Sequence, residues 1–180
     1  MGVSEKIKYW RENPCAQVQE LFGVEPDVWQ AQALEAFASG DPVKNRIALA
    51  SCAGPGKTCI LAWCGLNFLT CYGERGEHPK GAAVAVTEDN LKDNLWPELS
   101  KWIQRSEFLR HALKWTKSRV FAVDHPETWF ISARTFSKTA DPEEQGRTLS
   151  GLHSKYILYL IDESGDIPPP VLRSAEQGLS

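Results

Sequence analysis

Residues 48–63, ALASCAGPGKTCILAW, put a lysine and a threonine behind a loop of small residues and ahead of a helical apolar pattern. That order suits phosphate. Successive backbone N–H groups of such a loop curl around phosphate oxygens at the start of a helix. In the loop Ser51-Cys52-Ala53-Gly54-Pro55-Gly56-Lys57-Thr58, the two glycines permit close backbone approach. Lys57 supplies the neutralising charge and Thr58 a hydroxyl for Mg²⁺. The P-loop pattern has glycine where this chain has Ser51, which fits only if its backbone avoids positive φ.

Residues 156–163, YILYLIDE, supply the complementary half. An apolar strand delivers Asp162 and Glu163 to the carboxyl edge of a sheet, where ligands sit in open α/β folds. Asp162 is placed to hold Mg²⁺, and Glu163 to orient and deprotonate an attacking water. A glutamate beside the metal carboxylate favours hydrolysis over transfer to a metabolite, so the pair reads as an ATPase. Gln30, just upstream of the first expected strand, could pair with adenine N6 and N7, and Gln32 competes for that role. Phosphoryl transfer also recruits an arginine. Arg134, Arg147 or an arginine from a neighbouring subunit could supply it.

The elements that must hold these groups follow from periodicity. The first 23 residues predict two short helices separated near Pro14 and closed by Gly23. Pro26 and Asp27 open a third, closed by Gly40. The run 46–50, RIALA, predicts a short buried strand, and 57–73 a helix apolar nearly all round. Strands are expected within 81–88, 118–125 and 128–135, and a fully buried one from 155, with a helix near Pro97 that kinks. Residues 138–154 read as a long polar loop, and 170–180 begin another helix. Strands alternating with helices predict an α/β fold of the P-loop NTPase class (RecA-like, ASCE): a mostly parallel sheet flanked by helices, with a short helical N-terminal segment.

Bulk composition fits one domain. The chain has 180 residues, 42% hydrophobic and 24% charged, with a net charge of −3. That charge gives no support to a strongly basic nucleic-acid binder, although a local patch remains open. No apolar run reaches the ~18 residues that cross a bilayer. The N-terminus is too polar for a secretory signal, and Lys6 stands where myristoylation prefers Ser or Thr, so the cytoplasm is the expected location. Five cysteines (Cys15, Cys52, Cys59, Cys64, Cys71) without a Cys-x-x-Cys pair read as reduced structural thiols. Lys101, Arg105, Arg110, Lys114, Lys117 and Arg119 interleave with Trp102 and Trp115. They read first as a solvated face and second as a nucleic-acid contact.

Taken together, these segments resemble the large terminase subunit of tailed bacteriophages, the motor that packages DNA. NPCAQVQELFGVEPDVWQAQALEAF is similar to that family's lead-in, SCAGPGKTCILAW to its P-loop variant, and VTEDNLKDNLWPELSKWI to the segment after its second strand. LSGLHSKYILYLIDESGDIP resembles its acidic strand with a preceding Gly-x-His. The resemblance implies an ATP- and Mg²⁺-dependent translocase of double-stranded DNA, docked in the host cytoplasm on the portal of a procapsid. It implies a homo-oligomeric ring, usually a pentamer, and a small terminase subunit as partner. Position by position it makes Lys57 and Thr58 the phosphate and Mg²⁺ residues, Asp162 the metal carboxylate, Glu163 the catalytic one and Gln30 the adenine contact. Some members carry an arginine inside the loop; residues 52–55 hold none, which turns attention to Arg134, Arg147 or a trans arginine. The coupling motif and the nuclease domain expected after the acidic strand are missing by Ser180. Residues 1–180 are therefore expected to be one ATPase domain of a longer motor, with 1–43 the helical lead-in and 44–180 the P-loop core. Such a fragment is not expected to cut DNA. A helicase or restriction-type translocase shares the same motifs, and a non-hydrolysing nucleotide-binding assembly module is the reading from another class.

Overall fold

The computed structural model describes residues 2–40, 46–50, 54, 56–85, 87–137, 139–149 and 151–179. The chain opens with the predicted helical pair, α1 (Val3–Glu12) and α2 (Pro14–Phe22). Pro14 occupies the first turn of α2, where its missing N–H costs nothing, and Gly23 ends it at φ 63°. Helix α3 (Val28–Ala38) follows. The long α4 (Lys57–Cys71) is buried from Ala62 to Cys71 without a break, as its nearly uniform apolarity requires.

A polar seam ties α4 to the helical lead-in. Asn67 donates to the carbonyl of Trp10 (3.0 Å) and to Gln17 Oε1 (2.8 Å), while Gln17 Nε2 donates to Thr70 Oγ1 (2.7 Å). These groups are buried, so they need one another.

The sheet has the order β2-β3-β4-β1-β5. Its strands are β1 (Lys80–Ala85), β2 (Leu113–Trp115), β3 (Arg119–Ala122), β4 (Phe130–Thr135) and β5 (Ile157–Ile161). β4, β1 and β5 run parallel, and β2 and β3 add an antiparallel margin. Between β1 and β2 lie α5 (Glu88–Asn90), a π-helical turn at Leu91–Leu95, α6 (Trp96–Arg105) and α7 (Glu107–Ala112). The π turn stands immediately before Pro97, where the helix was expected to bend; such turns are a recognised source of kinks. After β4 come α8 (Pro142–Arg147) and, beyond β5, α9 (Pro169–Gln177).

The two faces of the sheet carry separate cores. Ala83, Ala85, Ile131 and Leu160 pack under α4 and α6. Ala82 and Val84, with Ile161 beside them, pack against Leu149, Val171 and Ala175. Central β1 is built from small residues because it is squeezed from both sides. A Cβ on Gly81 would stand 2.7 Å from Ile131 Cγ1 and 3.0 Å from the Leu158 carbonyl oxygen.

Three expectations need correction. Residues 46–50 are not a buried strand: they have no regular structure, and Ile47 is 42% exposed. Residues 47–50 and β5 line opposite parts of one cavity of about 650 Å³, and the run forms no ladder with any described strand. β5 is not fully buried either: only Leu160 is, and Leu158, Tyr159 and Ile161 are half-buried along the cavity. Finally, the polar stretch 138–154 contains α8, capped by Asp141, whose carboxylate accepts from the backbone of Glu143 and Glu144 (both 2.9 Å). Asp-Pro-Glu-Glu is a helix start by its residue types, overlooked beneath the segment's polarity. No helix among the described residues is long and apolar enough to cross a membrane.

Candidate functional site

The site is assembled where α4 begins and β5 ends. Gly54 and Gly56 both adopt positive φ, 88° and 92°, and Gly56 is the N-cap of α4. A side chain there would be strained, and its Cβ would meet Gln30 Nε2 at 3.1 Å. Lys57 and Thr58 then occupy the first turn of α4, where unpaired backbone N–H groups and the helix dipole favour an anion. Ser51, Cys52, Ala53 and Pro55 lie outside the described residues.

Asp162 continues the β5 ladder, its N–H donating to the carbonyl of Val84 at 3.1 Å. Burial pushes its carboxyl above the ordinary aspartate range, against the opposing pull of the Glu163 N–H and of Lys57. Lys57, Asp162 and Glu163 all line the cavity of about 650 Å³ beside β5. Gln30, Gly54, Gly56, Lys57 and Thr58 line a second cavity of about 650 Å³, bounded by α3, α4 and α6. Lys57 borders both.

Glu163 is the one non-glycine residue with positive φ among the described residues, at φ 54° and ψ 52°. Such a conformation costs roughly 1–3 kcal/mol and persists where the surroundings enforce it. Here Asn90 Nδ2 donates to Glu163 Oε2 at 3.1 Å. Asn90 is oriented in turn by Thr87, whose hydroxyl donates to Asn90 Oδ1 at 2.8 Å. Sequence reasoning missed Asn90. A contact across 73 residues leaves no local signal, and only the pairing of β1 with β5 brings the two together.

The two glutamine candidates separate clearly. Gln30 is 8% exposed and lines the second cavity, while its Oε1 accepts from the Asp27 N–H at 2.9 Å. Gln32 is exposed on the other side of α3. The two arginines stand apart from both cavities. Arg134 shares a row with Val84 and Ile161 on the face that carries α8 and α9, and its buried Nε has no hydrogen-bond partner. Arg147 lies exposed on α8, ion-paired with Glu143.

Of the basic and aromatic stretch, Trp102 belongs to the core and Trp115 is 44% exposed beside Lys92, Lys101 and Lys117. The described thiols are all held in the protonated form, Cys15 among them through burial. Burial pushes Cys64 up to about 12 and Cys71 to about 11, and Cys59 reaches about 12 through burial and the neighbouring Glu98 carboxylate.

No family model matches the chain, and no curated protein matches it. Among solved structures, the crystal structure of the HK97 bacteriophage large terminase is similar, with a TM-score of 0.55 and 16% sequence identity. The likeness covers 90% of this chain and 38% of that one, so the chain spans well under half of its structural neighbour. At that identity the similarity is one of fold: this chain has a terminase-like α/β architecture, a sheet flanked by helices on both faces.

Proposed function

We propose that the chain is the ATP-hydrolysing motor domain of a viral terminase large subunit, driving double-stranded DNA into a procapsid. The observation that carries this reading is the meeting of Lys57, at a glycine-turned helix start, with Asp162 and Glu163 around one cavity.

The residues divide the work as their environments dictate. Backbone N–H groups at the start of α4 and the Lys57 ammonium hold the β- and γ-phosphates. Thr58 and Asp162 hold Mg²⁺, whose charge would offset the burial that pushes the Asp162 carboxyl up. Mg²⁺ supplies charge neutralisation on the phosphate oxygens. Glu163, held by Asn90, orients the attacking water and takes its proton. Gln30 offers its amide to the adenine edge from the wall of the second cavity. The arginine that completes the charge balance is assigned to a neighbouring subunit of a ring, because Arg134 and Arg147 line neither cavity. A portal, a small terminase subunit and double-stranded DNA are the partners of this reading.

Titration with Mg²⁺-ATP tests it. The wild-type chain is expected to bind, and Lys57→Ala to lose at least about tenfold in affinity, as loss of a charged phosphate contact entails. Unchanged affinity in that variant would remove the phosphate assignment. Stimulation of turnover by procapsid and small subunit supports the packaging motor, whereas stimulation by single-stranded DNA alone would replace it with a helicase.

A further inference from the structure

The cavity between α3, α4 and α6 contains more chemistry than Gln30 alone uses. Glu98, on the first turn of α6, lines it beside Cys59, and Cys59 directly follows the phosphate-binding Lys57-Thr58 pair. The Glu98 carboxylate is held in place: Trp102 Nε1 donates to its Oε1 at 2.8 Å and Lys101 Nζ at 2.9 Å. Both bonds fall on one oxygen, and even with the Cys59 thiol also against the carboxylate its two oxygens keep acceptor capacity. Lys101 offsets the charge, which lets a carboxylate remain close to a polyphosphate. Glu25 and Asp27 also border the cavity, but they are exposed, whereas the Glu98 side chain is only 21% exposed.

Trp63 lines the same cavity and is 3% exposed, and its indole N–H has no hydrogen-bond partner. That nitrogen is itself closed off from solvent, so Trp63 contributes its ring rather than its N–H to the wall. One cavity wall therefore includes Gly56, Lys57 and Thr58 at the phosphate-binding helix start, the amide of Gln30, and a fixed acceptor at Glu98.

We propose that Glu98 reads the sugar of the bound nucleotide, accepting hydrogen bonds from the ribose hydroxyls and making this a site for ribonucleoside rather than deoxyribonucleoside triphosphates. A carboxylate is the group suited to this task, because two adjacent O–H donors match an acceptor-only side chain. The inference rests on the nucleotide reading above and adds to it the class of sugar.

Equilibrium binding of ATP, dATP and inorganic tripolyphosphate separates the two claims. The wild-type chain is expected to prefer ATP over dATP by about 10- to 100-fold, the worth of one hydrogen bond to a charged group. Glu98→Gln keeps the shape and the acceptor for Trp102. It is expected to bring ATP affinity down to near that of dATP, with tripolyphosphate as the sugar-free reference. Glu25→Gln is expected to retain the full preference. Equal wild-type affinity for ATP and dATP overturns the sugar assignment while leaving the nucleotide site intact, as does a Glu98→Gln variant that still discriminates. Failure of all three ligands to bind overturns both. A thermal melt of each variant identifies any that has lost its fold.

Discussion

At the scale of single residues, the site is a set of groups held against their ordinary preferences. Glu163 sits in a left-handed backbone conformation and is tethered by Asn90. If it is the base, Glu163→Gln should retain nucleotide binding and lose turnover by about 10²–10⁴-fold, checked by single-turnover hydrolysis. Asn90→Ala should lower kcat with little change in KM, because it touches Glu163 and not the phosphates; an equal loss in both would point to a structural role. Asp162 makes a pH prediction. Its carboxyl is raised by burial, so the folded chain holds this proton more tightly than the unfolded chain does. That contribution is complete below the ordinary value of 3.8 and is lost as pH rises through the folded value. Without ligand, Asp162→Asn should therefore raise the Tm at neutral pH, leave it little changed near pH 3, and remove stabilisation by Mg²⁺-ATP.

At the scale of elements, α4 links the site to the lead-in helices. Its Asn67 binds the Trp10 carbonyl and Gln17, groups that no other described side chain satisfies in the same way. Asn67→Ala leaves buried polar partners without bonds and should cost roughly 1–3 kcal/mol, read from urea unfolding. The prediction belongs here because the damage falls on the α1–α2–α4 packing and leaves the phosphate end of α4 in place. Element boundaries were largely legible: α1, α2, α4, β1, β4 and α9 fall where periodicity and the Pro and Gly punctuation put them. α8 was hidden by its polarity. β2, a three-residue strand, is too short to show a period and exists because β3 lies beside it.

At the scale of the whole molecule, Lys57 lines both cavities, and the proposed function joins them with the sheet edge into one nucleotide site. Ligand binding should therefore stabilise the fold as a unit. Mg²⁺-ATP at about 100 times its Kd should add roughly 2.7 kcal/mol, a rise in Tm that Lys57→Ala should cut to about half or less at the same concentration. A Tm indifferent to nucleotide in the wild type would separate the fold from the proposed activity. The open edge of β5 belongs to this scale too. Strand pairing is a long-range event, and RIALA has the composition of a strand without the partner that would make it one.

By itself, the sequence determined the chemistry available: glycines ahead of Lys57 and Thr58, and two acids closing an apolar strand, because these depend on adjacent residues and local backbone preference. It also determined the α/β class, since helical and strand periods are local properties. The tertiary structure decided which of those groups meet. It buried Gln30 and exposed Gln32, placed Arg134 on the far face of the sheet, brought Asn90 to Glu163, and set Glu98 beside Cys59. Each of those outcomes depends on strand order and helix packing between segments tens of residues apart, which no local pattern encodes.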